Sequence, residues 1–205
     1  MIYLTFKENL KNLIVFNLND IRKVDAGFDL RRLSEWQAKR YIKMIRRGYY
    51  VFADLARNEN NIFLIANKIY VPSYISLEMA LSHYHLIPEA VYGITSVSTR
   101  KTNKFNSDFG EFIYRRVKPP LMFGYRLILH SGHHIKMAEM EKAVLDFFYL
   151  NPHLENEKDF DGLRFNCEEF KGQADKNKMR NYLAAFGNKK LEKRFNKFLR
   201  HIKYD

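Results

Sequence analysis

The apolar residues change their spacing at residue 41, and that change limits how the first part of the chain can fold. Before it they follow a helical period. Leu4, Leu10, Leu13 and Ile14 share one face, with Lys7, Glu8, Lys11 and Asn12 outside it. Residues 17–25 form a second helical stretch, with Asn17 or Asn19 as its cap, Ile21 and Val24 facing inward and Gly27 turning the chain. A third spans residues 29–40, where Leu30, Leu33 and Trp36 recur every three residues and Tyr41 extends the stripe. From Tyr41 onward two β-prone runs, residues 41–45 and 49–52, flank Arg46-Arg47-Gly48. Such runs around a glycine predict a hairpin.

Three short helices followed by a basic hairpin is the element order of a winged helix-turn-helix. In that motif the last helix enters the major groove of double-stranded DNA while flanking elements hold phosphates. Projected at about 100° per residue, the third helix buries Leu30, Leu33 and Trp36. Arg31, Ser34, Glu35 and Ala38 point outward, with Arg32 and Lys39 on the shoulder. Arg31 is the leading candidate for a base edge, because a guanidinium donates two bonds to guanine. Ser34 is placed for a base or a phosphate. Arg32, Lys39 and Arg40 are placed to neutralise backbone charge, which gives affinity without sequence preference. Lys43 lies on the approaching strand, and Arg46 and Arg47 are expected at the tip. The plain alternative is a set of solvated cations. Trp36 and the hairpin tyrosines are expected in the core.

Two further helices are expected over residues 59–86, interrupted at Pro72 and restarted at Ser76. From about Val91 to Lys136 the pattern turns to strands at residues 92–97, 104–106, 112–117 and 125–130, with Asp108-Phe109-Gly110 as a turn. Residues 137–149 read as a helix with Ala138, Met140, Val144, Phe147 and Phe148 apolar, and the tail from about Glu155 is again helical. In that tail Leu191, Phe195, Phe198, Leu199 and Ile202 form one stripe, edged by Lys189, Lys190, Lys193, Arg194, Lys197, Arg200 and Lys203. Its plainest reading is a helix packed on its own domain. Nucleic-acid, acidic-partner or membrane-surface contact remain alternatives. Arg100 and Lys101, with Arg115 and Arg116, are candidates for a second basic patch facing an RNA or toxin-related target, against the plain reading of surface charge near turns.

The net charge of +12 favours an anionic partner, and its placement is uneven. Residues 1–53 hold 11 Lys and Arg against 5 Asp and Glu, residues 54–170 hold 13 against 15, and residues 171–205 hold 11 against 3. Two basic ends flank a nearly neutral middle. The single cysteine, Cys167, excludes an internal disulfide framework and a cysteine-based zinc cage. No signal-peptide pattern or apolar run of spanning length occurs, so no membrane partner and a cytoplasmic location are expected. His130, His133 and His134, with His83 and His85, invite a metal reading. No H-E-x-x-H or cysteine pair accompanies them, and surface histidines are the expectation. Glu139 and Glu141, like Asp159 and Asp161, read as solvated charges. Without a phosphate loop, a nucleophile elbow or a two-metal carboxylate cluster, no enzyme, catalytic residue, metal or cofactor is expected.

The stretch LRRLSEWQAKRYIKMIRRGYYVF resembles the winged-helix end of AbiEi-type antitoxins of abortive-infection systems. VPSYISLEMALSHYHLIPEAVYGITSVSTRKTNKFNSDFGEFIYRRVKPPLMFGY and MAEMEKAVLDFFYLNP are similar to segments that follow it, so the resemblance covers residues 1 to about 155. The chain departs from it at Arg40, where relatives often carry glycine. The resemblance implies the antitoxin half of a type IV toxin-antitoxin pair, encoded beside a nucleotidyltransferase-like toxin and repressing their shared promoter at inverted repeats. It implies a second domain that counters the toxin without requiring stable binding to it.

The expected architecture is therefore α+β: a winged helix-turn-helix over residues 1–55, then a mixed helical and β domain over 56–205 ending in a basic helical tail. The expected function is a DNA-binding repressor and antitoxin. The alternative is a toxin-neutralising or RNA-binding module whose DNA binding is vestigial.

Overall fold

The computed structural model describes residues 1–88 and 92–204 and shows a mixed α+β fold; the expected strand start at Val91 lies outside them. The order begins α1 (Tyr3–Leu10), β1 (Phe16–Asn17), α2 (Leu18–Val24), α3 (Arg31–Ala38), β2 (Ile42–Arg46) and β3 (Tyr49–Phe52). The three strands form one antiparallel sheet in the order β1-β3-β2. Next come α4 (Glu59–Ile69), β4 (Ser73–Ile75), α5 (Leu77–His83), β5 (Gly93–Ser98), β6 (Asn103–Ser107) and β7 (Gly110–Arg116). After a short 3-10 turn follow β8 (Tyr125–His130), β9 (His133–Ala138), α6 (Met140–Leu150), α7 (Glu157–Gly162), α8 (Cys167–Gln173), α9 (Lys176–Phe186) and α10 (Lys189–His201). Strands β4 to β9 build a six-stranded sheet in the order β6-β7-β5-β4-β9-β8, parallel at β7/β5 and β4/β9 and antiparallel elsewhere.

The first core forms around Phe6. Its ring lies 4.5 Å from Trp36, 5.4 Å from Phe16 and 5.8 Å from both Phe28 and Phe52, measured between ring centroids. One aromatic therefore touches α3, β1, β3 and the loop before α3. Truncating a residue so placed costs about 3–5 kcal/mol. Leu4, expected inside, is 73% exposed, and Phe6 and Leu10 hold the buried face instead. Val24 and Leu30 are likewise exposed rather than inward. Leu30 occupies the N-cap position of α3, so the expected three-residue stripe is two residues, Leu33 and Trp36. α1 ends at Leu10, and β1 was not foreseen, being two residues long.

A second core joins this unit to the large sheet. Val15, Ile45 and Val51 pack with Phe63, Ile65 and Ile69 of α4 and with Phe112, Tyr114, Ile135 and Met137 of the sheet. Strand β2 serves both cores because its side chains alternate, Ile42 facing the first and Ile45 the second, and a bulge between Met44 and Arg46 then brings Arg46 beside Tyr49 on the second-core side. The opposite face of the large sheet carries the third core, where α5, α6 and the four following helices close over Tyr74, Val97 and Ala138. The tail stripe packs here: Leu191, Phe195, Phe198 and Ile202 are buried and Leu199 lies against them.

Helix α6 begins at Met140; Met137 and Ala138, expected to open it, end β9 instead. It has no free face from Met140 to Phe148, where every residue is buried, including Glu141, Lys142 and Asp146. Glu141 is thus not a solvated charge; its Oε1 accepts from the Asp175 backbone N–H at 2.8 Å. Asp159 lies at the surface, as expected, and also closes a reciprocal capping box on α7 with Asn156. None of the described helices is long and apolar enough to cross a membrane.

Candidate nucleic-acid interface

Helix α2 starts at a reciprocal cap. The Asn17 side chain accepts from the backbone N–H groups of Asn19 and Asp20, and Asp20 accepts from Asn17 N–H at 3.0 Å. Ile21 then anchors the helix in the first core. Helix α3 follows after Asp29, whose Oδ1 accepts from Arg31 N–H at 3.0 Å. With Leu33 and Trp36 buried, the free surface of α3 and its exit carries Arg31, Ser34, Glu35, Ala38, Lys39 and Arg40, with Arg32 half-buried beside them. The chain leaves α3 through Arg40 at φ 57°. That left-handed conformation favours glycine, the residue that the resemblance associates with this position.

The carboxylates of residues 1–40 are already engaged, whereas exposed Asp108 of the β6–β7 turn lies in the depression shared by Arg40 and Lys43. Asp20 and Asp29 cap helices, Asp25 meets the terminal ammonium at 3.7 Å, and Glu8 pairs with Lys11. Glu35 receives Lys39 Nζ at 2.6 Å. Lys39 draws the Glu35 carboxyl below its usual range, and the carboxylate raises the ammonium in return. Lys39 is therefore not an unpaired cation. Arg31, Arg32, Arg40 and Arg47 make no ion pair among the described residues.

Hairpin β2–β3 turns at Arg47-Gly48, with Gly48 at φ 83° and Arg47 exposed. Arg46 is not at the tip. Its guanidinium carbon lies 4.5 Å from the Tyr49 ring centroid, 4.9 Å from Phe105 and 5.8 Å from Tyr70. Its Nε is buried without a hydrogen-bond partner. The bulge and these three rings turn Arg46 toward the large sheet. Lys43 is half-buried, 5.8 Å from the Phe109 ring. Tyr41, expected in the core, is 41% exposed and stacks on Tyr3 at 4.4 Å.

The second basic patch divides. Arg115 donates to Asn151 Oδ1 at 3.0 Å and to the Leu150 carbonyl, so it caps the end of α6 and is not a surface cation. Arg100 and Lys101 are exposed in the β5–β6 turn, and Arg116 is exposed where β7 ends beside Ser98. Arg194 is also structural, donating to the carbonyls of Phe148, Asn151 and Leu154 at 3.0–3.2 Å. His133 Nε2 lies 2.7 Å from the Asn12 carbonyl, and no cluster of three or more metal-ligating side chains occurs among the described residues.

The buried polar centre of the molecule was not anticipated. Lys142 Nζ donates to Asp146 and, at 2.8 Å, to Tyr74 Oη; Asp146 Oδ2 accepts from Tyr74 at 2.8 Å and Ser76 at 2.9 Å. Burial pushes the ammonium down and the carboxyl up, each opposed by the other's charge. The Phe123 and Phe186 rings cover the ammonium at 5.0 and 4.8 Å. The i, i+4 spacing of Lys142 and Asp146 was the available signal. No protein-family model and no curated protein matches the chain.

Proposed function

We propose that this protein is a DNA-binding transcriptional repressor. In this reading residues 1–55 act as a winged helix-turn-helix, with α3 in the major groove and the β2–β3 hairpin as the wing. What carries the reading is one pattern: Arg31, Arg40 and Arg47 stand exposed and unpaired on α3, its exit and the hairpin tip, while the carboxylates of residues 1–40 are held by caps or ion pairs and exposed Asp108 is the acid beside Arg40. A surface so arranged presents net positive charge to a phosphate backbone. The element order α1-β1-α2-α3-β2-β3 supports it. Arg31 reads a base edge, Ser34 assists, and Arg32, Arg40 and Arg47 hold phosphates. Lys43 approaches the backbone from the strand, while Arg46 positions the hairpin and Lys39 is restrained by Glu35.

The antitoxin role, opposing a nucleotidyltransferase-like toxin, rests on the resemblance of residues 1 to about 155 to AbiEi-type antitoxins. It makes residues 56–205 the toxin-countering part. Reversing charge at Arg31→Glu and Arg47→Glu separates the two activities. Repression of a reporter behind the protein's own upstream region is expected to disappear, and protection against the neighbouring toxin to persist. Full repression by the double variant would remove α3 and the hairpin from the proposed interface.

A further inference from the structure

A cleft of about 240 Å3 opens where the loop between α1 and β1 meets α4 and β9. Its apolar wall draws on two cores: Leu13 packs against the first, while Ile14, Val15 and Leu64 belong to the second. Val71, 53% exposed, completes it. All five are aliphatic, a lining that suits a flexible chain. The rim is basic. Lys68 and His134 are exposed and Lys136 is half-buried, and neither lysine makes an ion pair among the described residues. No carboxylate occurs among the described residues that line the cleft.

Hydrogen bonds fix both sides of it. His133 Nε2 donates to the Asn12 carbonyl at 2.7 Å, which holds the loop after α1 to β9. Asn67 ties α4 to the same strand, its Oδ1 accepting from Lys136 N–H at 2.6 Å and its Nδ2 donating to the Lys136 carbonyl at 3.3 Å. A concave site between two packed units, with a mostly apolar wall and a few placed polar groups, is the common form of a pre-formed ligand site.

We propose that this cleft binds a small aliphatic carboxylate, its chain on Leu13, Ile14 and Val71 and its head between Lys68 and Lys136. The two lysines have no acid beside them in the lining, so an anion supplies the missing partner. Sites for drug-sized ligands run to roughly 300–1,000 Å3, and this one is smaller, so the occupant is a short chain. The inference goes beyond the DNA-binding reading and stands without it. Because both units line the cleft, an occupant ties residues 13–15 to α4 and β9 and stabilises the packing of the first 55 residues on the large sheet.

The experiment uses the full chain with octanoate as the probe, against acetate, which has the charge without the chain, and octanol, which has the chain without the charge. Octanoate is expected to raise Tm saturably by at least about 2 °C and to slow amide hydrogen exchange at residues 13–15 and 67–71. Acetate and octanol at equal concentration are expected to do neither. Lys68→Gln with Lys136→Gln is expected to weaken octanoate binding about tenfold, the sum of two partly exposed pairs. Lys189→Gln with Lys193→Gln, on exposed positions of α10, is expected to leave it unchanged. Lys68→Glu alone, a change on the exposed surface of α4, repeats the test if the double variant alters the Tm of the free protein. The site is overturned by no response to octanoate, by an equal response to acetate or octanol, by protection elsewhere in the chain, or by an undiminished response in the Lys68 variants.

Discussion

The Arg46 guanidinium carbon stands 4.9 Å from the Phe105 ring centroid, and this contact fastens the β2–β3 hairpin to the edge of the six-stranded sheet. Neighbouring Arg47 is exposed at the turn. Adjacent arginines thus have opposite employment, one holding the hairpin and the other facing solvent.

Arg46→Ala and Arg47→Ala should accordingly fail in different ways. Cation-π contacts of this kind contribute about 0.5–2 kcal/mol, so Arg46→Ala is expected to lower stability by about 1–2 kcal/mol in urea unfolding. Arg47→Ala is expected to leave the unfolding midpoint unchanged and to weaken DNA binding. Equal midpoints for the two variants would contradict the assignment.

The buried pair on α6 gives a second prediction. Asp146→Asn leaves the Lys142 ammonium without its carboxylate in a site of zero exposure, and breaking such a pair costs about 3–5 kcal/mol. Lys142→Met combined with Asp146→Leu removes both charges and is expected to cost less than either single change. A double-mutant cycle on thermal or denaturant unfolding reads the coupling. Additive losses would show that the two groups do not act as a pair.

A third concerns pH. Lys7 Nζ meets Asp54 at 2.5 Å, joining α1 to the residues after β3. The hydrogen bond to Lys7 lowers the Asp54 carboxyl below its usual value, and the same contact raises Lys7. A depressed carboxyl stabilises the fold above its unfolded value and loses that contribution as pH falls through the folded one. A raised lysine contributes below about 10.5 and is lost as pH rises beyond it. Asp54→Asn should therefore lower Tm slightly at neutral pH, as expected of an exposed pair, and the difference from the unaltered protein should shrink as pH falls below the usual carboxylate range. A constant difference down to pH 2 would show that Asp54 acts other than by its charge.

The cap of α2 gives a fourth. Asn17→Ala removes an acceptor for two backbone N–H groups and should cost about 1 kcal/mol. Asn17→Asp, which keeps the acceptor, should restore most of it; an equally unstable Asp variant would contradict the capping role.

The sequence and the structure agree where local chemistry decides. Asn17 could be read as a cap, Gly48 as a turn, Asp108-Phe109 as a turn and the α10 stripe as a packed face, because each depends on residues within a few positions. Leu4, Val24 and Leu30 were misplaced because apolar type alone does not say which face meets Phe6. Arg46 was misplaced because its partners, Tyr70 and Phe105, lie far along the chain and a bulge turns the strand toward them. Strand β4 is three residues long and too short for any period to show. Lys142 and Asp146 were legible as an i, i+4 pair but not as buried: period analysis assigns charges to a solvated face, and α6 has none from Met140 to Phe148. The candidate interface was legible as a set of cations, but the capping and pairing that occupy the carboxylates of residues 1–40 were not.

The central claim is that α3 and the hairpin hold a specific DNA. The direct measurement is a salt-series gel shift of the full protein on its own upstream region against unrelated DNA of equal length. Preferential binding is predicted, weakening with salt as released counterions require, and losing its preference for the upstream region when Arg31 is changed to alanine. Equal affinity for both DNAs, or none for either, would contradict the account.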